Sequence, residues 1–122
     1  MRLIYTIITL FALPYSLSAE DSIKYINQSG STMEFKVSDS GTVEGYYKTA
    51  LGCDVGIKRP LSGFKNGTAI TFTVSFEECG SITSWVGHVQ DSGDIITIWT
   101  LARGNEGWDA KLTGTSTFKV VK

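Results

Sequence analysis

From residue 20 onward the chain is built of short runs in which apolar and polar residues alternate. The clearest is AITFTVSF, where Ile70, Phe72, Val74 and Phe76 fall on one face and Thr71, Thr73 and Ser75 on the other. A period of two is the period of a β-strand. The segments EFKV, TVEGYYKT, SWVGHVQ, IITIWTLA and STFKVV follow the same habit with the β-branched and aromatic residues that strands favour. No window after residue 20 carries the i, i+3, i+4, i+7 spacing of an amphipathic helix. The pattern predicts about eight strands, near 22–29, 32–38, 42–50, 60–66, 69–77, 82–90, 94–102 and 112–121.

Between these runs stand QSGS, SDSG, KNGT, ECGS, DSGD and GNEG, all rich in the residues of tight turns. KNGT at 65–68 is the strongest hairpin cue, because Asn-Gly suits a type I′ turn. An even number of sequential strands joined by short turns predicts an all-β fold: an eight-stranded antiparallel up-and-down β-barrel, whose closure removes exposed edges. A two-sheet sandwich is the alternative. A barrel of eight strands is just wide enough to hold one small ligand. Many hydroxyl and amide side chains fall on faces that would turn inward. Polar groups in a closed interior need partners, and a bound ligand can supply them.

The first nineteen residues, MRLIYTIITLFALPYSLSA, differ from the rest. Arg2 gives a short positive start, Leu3 to Leu13 an apolar core, and Pro14, Ser16, Ser18 and Ala19 a breaker and small residues. This is the plan of a secretory signal peptide cut after Ser18 or Ala19. The apolar run is shorter than the ~20 residues a membrane span needs. The expected domain is therefore 20–122, in a secreted, periplasmic or extracellular protein. No cysteine flanks the cut, so a lipid anchor has no attachment point. The whole chain has 11 Lys and Arg against 12 Asp and Glu, and loss of Arg2 leaves 10 against 12. That balance gives no footprint for nucleic acid, and no basic helix suggests a membrane surface.

Two cysteines, Cys53 and Cys79, sit in the Gly-flanked loop texts LGCDVG and EECGS. An oxidising compartment and loop placement favour a disulfide between them over two free buried thiols. Catalytic chemistry is sparse. His88 is the one histidine, and a nucleophilic relay needs one. Its bland reading is a surface or rim position on a strand. No GxSxG, P-loop, HExxH or CxxC occurs, and no metal site is expected. Glu77 and Glu78 are adjacent, so on a strand they would point to opposite faces. Asn27 and Asn66 head sequons that matter only in a host that glycosylates its secreted proteins.

What does stand out is a set of residues spread along the chain. Asn27 and Ser31 lie in NQSGSTM, Tyr47 and Thr49 in GYYKTA, and Ser81, Thr83 and Trp85 in CGSITSWVG. Trp99 and Leu101 lie in IWTLA, Trp108 in EGWDA and Ser116 in TGTSTF. Spacings of two put Tyr47 with Thr49, Ser81 with Thr83 and Trp85, and Trp99 with Leu101 on single strand faces. In this order, together with RPLSGFKNGT and FTVSF, the segments resemble the avidin and streptavidin family of biotin-binding proteins across the whole mature chain. The likeness is strongest to the short, dimeric, rhizavidin-like members, which share the NQSGSTM text and the cysteine pair.

The resemblance implies roles. Asn27, Ser31 and Tyr47 correspond to three donors that converge on the ureido carbonyl oxygen of biotin. Thr49 and Ser116 take the places of acceptors for the two ureido N–H groups. Thr83 corresponds to a contact with the thioether sulfur and Ser81 to a donor to the valerate carboxylate. Trp85 and Trp99 would wall the ring, with Leu101 beside them and Phe76 along the tail. Gln28 and Thr32 would point the other way and carry nothing. The resemblance implies no catalysis, no cofactor, biotin as the bound ligand, and self-association as a homodimer or homotetramer.

Several positions depart from the family pattern. Tyr25 and Phe76 stand where tryptophan is usual. Ser116 stands where Asp or Asn is usual, shorter than either. The segment from Glu77 to Gly80 is short. Trp108 matches the tryptophan that tetrameric members insert into a neighbour's pocket, a residue the short dimeric members lack. Two further readings remain open at this stage: an avidin-like barrel for another small ligand, and a small secreted enzyme or enzyme inhibitor using His88 with Ser81 or Asp91.

Overall fold

The computed structural model describes residues 21–122; the expected leader lies outside the described residues. Eight strands follow in sequence: β1 (Ile23–Asn27), β2 (Thr32–Val37), β3 (Thr42–Lys48), β4 (Arg59–Asn66), β5 (Ala69–Phe76), β6 (Ser81–Val89), β7 (Ile95–Arg103) and β8 (Leu112–Val120). Each pairs antiparallel with the next, and β1 pairs with β8 to close the barrel. A sandwich is excluded by that closure. The only helical pieces among the described residues are single 3-10 turns at Glu77–Cys79 and Trp108–Ala110.

The expected strands and the observed ones agree to within about two residues at each end. The ends move for local reasons. β1 stops at Asn27 because its carbonyl accepts the Gly30 N–H at 3.0 Å, in a turn where Gly30 takes a φ of 88°. The hairpin between β4 and β5 corrects the expectation at KNGT. Asn66 pairs with Ala69, so the two central residues are Gly67 and Thr68. Of that pair only Gly67 has positive φ, at 62°. That is the II′ pattern rather than I′, because the ladder carries Asn66 one position further than the dipeptide alone suggests.

The interior divides along the barrel axis. One end is filled by Tyr25, Phe35, Phe72 and Phe118, all buried. Tyr25 stacks on Phe35 at 5.1 Å between centroids, and Phe118 meets Phe72 edge-on at 5.6 Å. Val43, Leu61, Ile70, Val74 and Ile95 fill the space around them. Aromatic pairs of this geometry add about 0.5–1.5 kcal/mol each beyond area burial. Inward glycines let the wall curve. A side chain at Gly87 would collide with the carbonyl of Ile96 on the next strand, so only glycine fits there. The other end of the interior is not filled.

Candidate functional site

At that unfilled end the barrel holds a cavity of about 540 Å³, in the range of small-molecule sites. The antiparallel order explains its composition. Odd strands end there and even strands begin there, so Asn27, Tyr47, Phe76 and Leu101 come from strand ends and Ser31 and Ser81 from strand starts. Thr49, Thr83, Trp85, Trp99 and Ser116 complete the set, so all eleven positions that the family resemblance singled out line this one cavity. They come from six strands and the loops at their ends.

The polar wall is arranged as a set of donors. The Asn27 side-chain oxygen accepts the N–H groups of Ser29 and Ser31, each at 3.0 Å. With its oxygen occupied by the turn, the amide offers its NH₂ group to the cavity. The Ser31 hydroxyl oxygen accepts the Ala50 N–H at 2.9 Å, which leaves its proton to donate. Tyr47 is buried, and burial pushes its phenol up from the ordinary value, with a hydrogen bond to Ser31 opposing the rise. The phenol is therefore a neutral donor at physiological pH. In contrast, the Thr49 hydroxyl donates to the Leu51 carbonyl at 2.7 Å, so what it keeps for a ligand is acceptor capacity. The Thr83 and Ser116 hydroxyls have no protein partner among the described residues, although both residues are buried.

The apolar wall is aromatic. Trp85 is buried, stacked on Phe72 at 5.3 Å, and 4.9 Å from Tyr47. It faces Trp99 across the β6–β7 ladder. Trp99 lies flat against Gly114 of β8; a methyl group there would sit 2.6 Å from its indole. Phe76 meets Tyr47 edge-on at 6.1 Å.

The mouth is fastened on one side. The disulfide Cys53–Cys79 joins the β3–β4 loop to the 3-10 turn after β5. Arg59, buried at the start of β4, donates to Asp54 at 3.0 Å and Glu78 at 2.7 Å, and so ties the same two segments. The Arg59 guanidinium holds the Glu78 carboxyl below its ordinary value, chiefly through that hydrogen bond. Cys53, Asp54 and Cys79 are the one grouping of metal-type side chains among the described residues, and both sulfurs are spent in the disulfide.

Other residues are placed elsewhere. Trp108 is 80 % exposed, lies beneath the Lys111 ammonium, and is not part of its own chain's cavity. His88 points outward from β6 and bonds Thr68 at 3.1 Å. Ser81 and His88 occupy opposite faces of β6, so no relay forms between them. Gln28 corrects an expectation: rather than carrying nothing, it lines the cavity, donates to the Thr115 carbonyl and accepts the Thr117 N–H, each at 3.1 Å. It pins the β1–β2 turn to β8. Leu51, Arg103, Leu112 and Thr115 also line the cavity without having been singled out in the sequence.

Comparison with known proteins bears on the family and the fold. The avidin family profile matches residues 18–121. Afifavidin of Afifella pfennigii is 34% identical over 110 residues, covering 82% of this chain and 69% of that protein. The chain belongs to the avidin family. Among solved avidin structures, the rhizavidin–biotin complex superposes with a TM-score of 0.75 at 38% identity, covering 82% of this chain and 99% of that one. The short afifavidin–biotin complex gives 0.70 at 34% identity over 82% and 88%, and apo shwanavidin gives 0.75 at 30% over 84% and 96%.

Proposed function

We propose that the protein binds free biotin non-covalently at the open end of its barrel and performs no chemistry on it. The observation that carries this reading is the donor set of Asn27, Ser31 and Tyr47. The Asn27 side-chain oxygen and the Ser31 hydroxyl oxygen already accept hydrogen bonds within the protein, and with the Tyr47 phenol they supply donors suited to a single acceptor, the ureido oxygen. Thr49 and Ser116 accept from the ureido N–H groups, Trp85 and Trp99 enclose the ring with Leu101 beside them, Thr83 lies at the sulfur, and Phe76 flanks the tail that reaches Ser81. Because the donors are held before the ligand arrives, little ordering cost is left for binding. The rhizavidin and short afifavidin structures with biotin support the ligand.

We also propose that the protein is exported and self-associates. The disulfide suits an oxidising compartment. The outward positions of β5, β6 and β7 carry Ala, Thr, Ser, Ile, Val and one His, with no Lys, Arg, Asp or Glu, whereas β1 to β3 turn Lys24, Glu34, Lys36, Glu44 and Lys48 outward. An uncharged wall suits packing on its own copy about a two-fold axis. In a tetramer the exposed Trp108 would cover a neighbour's cavity. Calorimetry with biotin and with an analogue lacking the ureido group tests the ligand. Strong heat with biotin alone is expected. No heat and no thermal upshift with biotin would sink the reading, and equal binding of both ligands would favour a barrel turned to another ligand.

A further inference from the structure

Among the described residues that line the cavity, one is formally charged: Arg103. It ends β7, on the inward phase shared with Thr97, Trp99 and Leu101. From the mouth inward, the β6–β7 ladder presents the rungs Ser81–Arg103, Thr83–Leu101 and Trp85–Trp99. Four residues of strand separate the first rung from the last, about 13 Å. The cavity is therefore graded: polar donors and aromatic walls deep inside, and a cation at the lip.

That cation is available. Among the described residues no carboxylate forms an ion pair with Arg103. Arg59, the cation of the fastened loop, is spoken for by Asp54 and Glu78 and does not line the cavity. Guanidinium stays charged at any physiological pH, and its planar fork matches the two oxygens of a carboxylate. Directly opposed residues on an antiparallel pair have Cβ atoms about 5 Å apart, so the Ser81 hydroxyl and the Arg103 fork can hold one carboxylate between them.

We infer that Arg103 is a specificity-determining residue: with Ser81 it reads the free carboxylate of the ligand's tail and favours the acid over neutral amide or ester conjugates of the same ring. This inference rests on the biotin reading of the cavity. Arg103 is solvent-exposed, so its pull is modest and screened by salt. Its effect falls on discrimination between tails rather than on retention of the ring.

The test is competition of biotin against biotinamide at equal concentration, at low salt and at about 0.5 M salt, where the screening length shrinks to a few ångströms. The unaltered protein should take biotin in about two- to fivefold excess at low salt and approach parity at high salt. Arg103→Gln should give near parity at both, and Arg103→Glu should invert the preference. The same ratio in both variants as in the unaltered protein would overturn the inference and leave the biotin reading standing. If the unaltered protein binds neither ligand, the biotin reading falls and takes the inference with it.

Discussion

Tyr47 joins the polar and apolar walls of the cavity, with its ring against Trp85 and Phe76 and its hydroxyl beside Ser31. Removing the hydroxyl alone tests the donor role without disturbing packing. Tyr47→Phe is expected to weaken biotin binding by about 1–3 kcal/mol, the cost of leaving one buried partner unsatisfied, with the thermal midpoint of the free protein nearly unchanged. His88→Ala, on the outer wall, should leave affinity as it is. Calorimetry on the two variants side by side checks both. Gly114→Ala probes the aromatic wall: the added methyl displaces the Trp99 indole, so biotin affinity should fall while the barrel persists, visible as altered tryptophan fluorescence with native circular dichroism. The residue scale also shows where the sequence was informative. The cavity-lining positions were legible through the resemblance of their segments to the avidin family; strand phase alone places most of them on inward faces but not Ser31 and Thr49, which lie just outside β2 and β3. Gln28 was not legible, because its partners lie 87 and 89 positions away on β8. Arg59 was missed for a related reason: its carboxylates come from two different loops.

At the scale of elements, the strands were legible throughout, since a period of two in a half-buried wall forces one face inward. Their ends were not, because a strand stops where a turn captures its last carbonyl, as at Asn27 and Gly30. The fastening of the β3–β4 loop is the feature most open to test. Replacing both cysteines with serine should destabilise the protein by about 3.5 kcal/mol on the chain-entropy account for a closed loop of 26 residues, read from chemical denaturation. The ionic half of the fastening follows pH. Glu78 has a lowered pKa in the folded protein, so its contribution is complete above the carboxyl's ordinary value of 4.5 and is lost as pH falls through the lowered value. The serine variant, which keeps only this half, should lose loop protection in hydrogen exchange on acidification, whereas the disulfide-bonded protein should keep more of it.

At the scale of the whole molecule, the two buried phenols set the alkaline limit. Tyr25 and Tyr47 both have pKa values raised by burial, with the Asp94 charge adding to the rise at Tyr25. The unfolded chain releases these protons near the ordinary value of 10, before the folded one does. Stability should therefore hold up to about that pH and fall as pH rises beyond it toward the folded values, with a shallower fall in Tyr47→Phe. Thermal melts across the alkaline range check this. The uncharged outer wall makes a separate prediction. Val86→Lys with Ile98→Lys places charge at two exposed apolar positions of that wall, and light scattering should then report a smaller assembly than for the unaltered protein. That wall was written in the sequence as plainly as the interior, yet only the closed barrel shows that its outward residues form one continuous face.

A barrel stoppered at one end by Tyr25, Phe35, Phe72 and Phe118 is a vessel with a single opening. Whatever occupies it must leave by the way it came, past Leu51, Gly52 and Cys53 on the fastened loop. On the biotin reading, local opening of that loop is the motion expected to govern release. Lifetime and affinity would then come apart: the deep donors and tryptophans would decide how strongly biotin is held, while the covalent and ionic latch at the rim would decide how soon it can go.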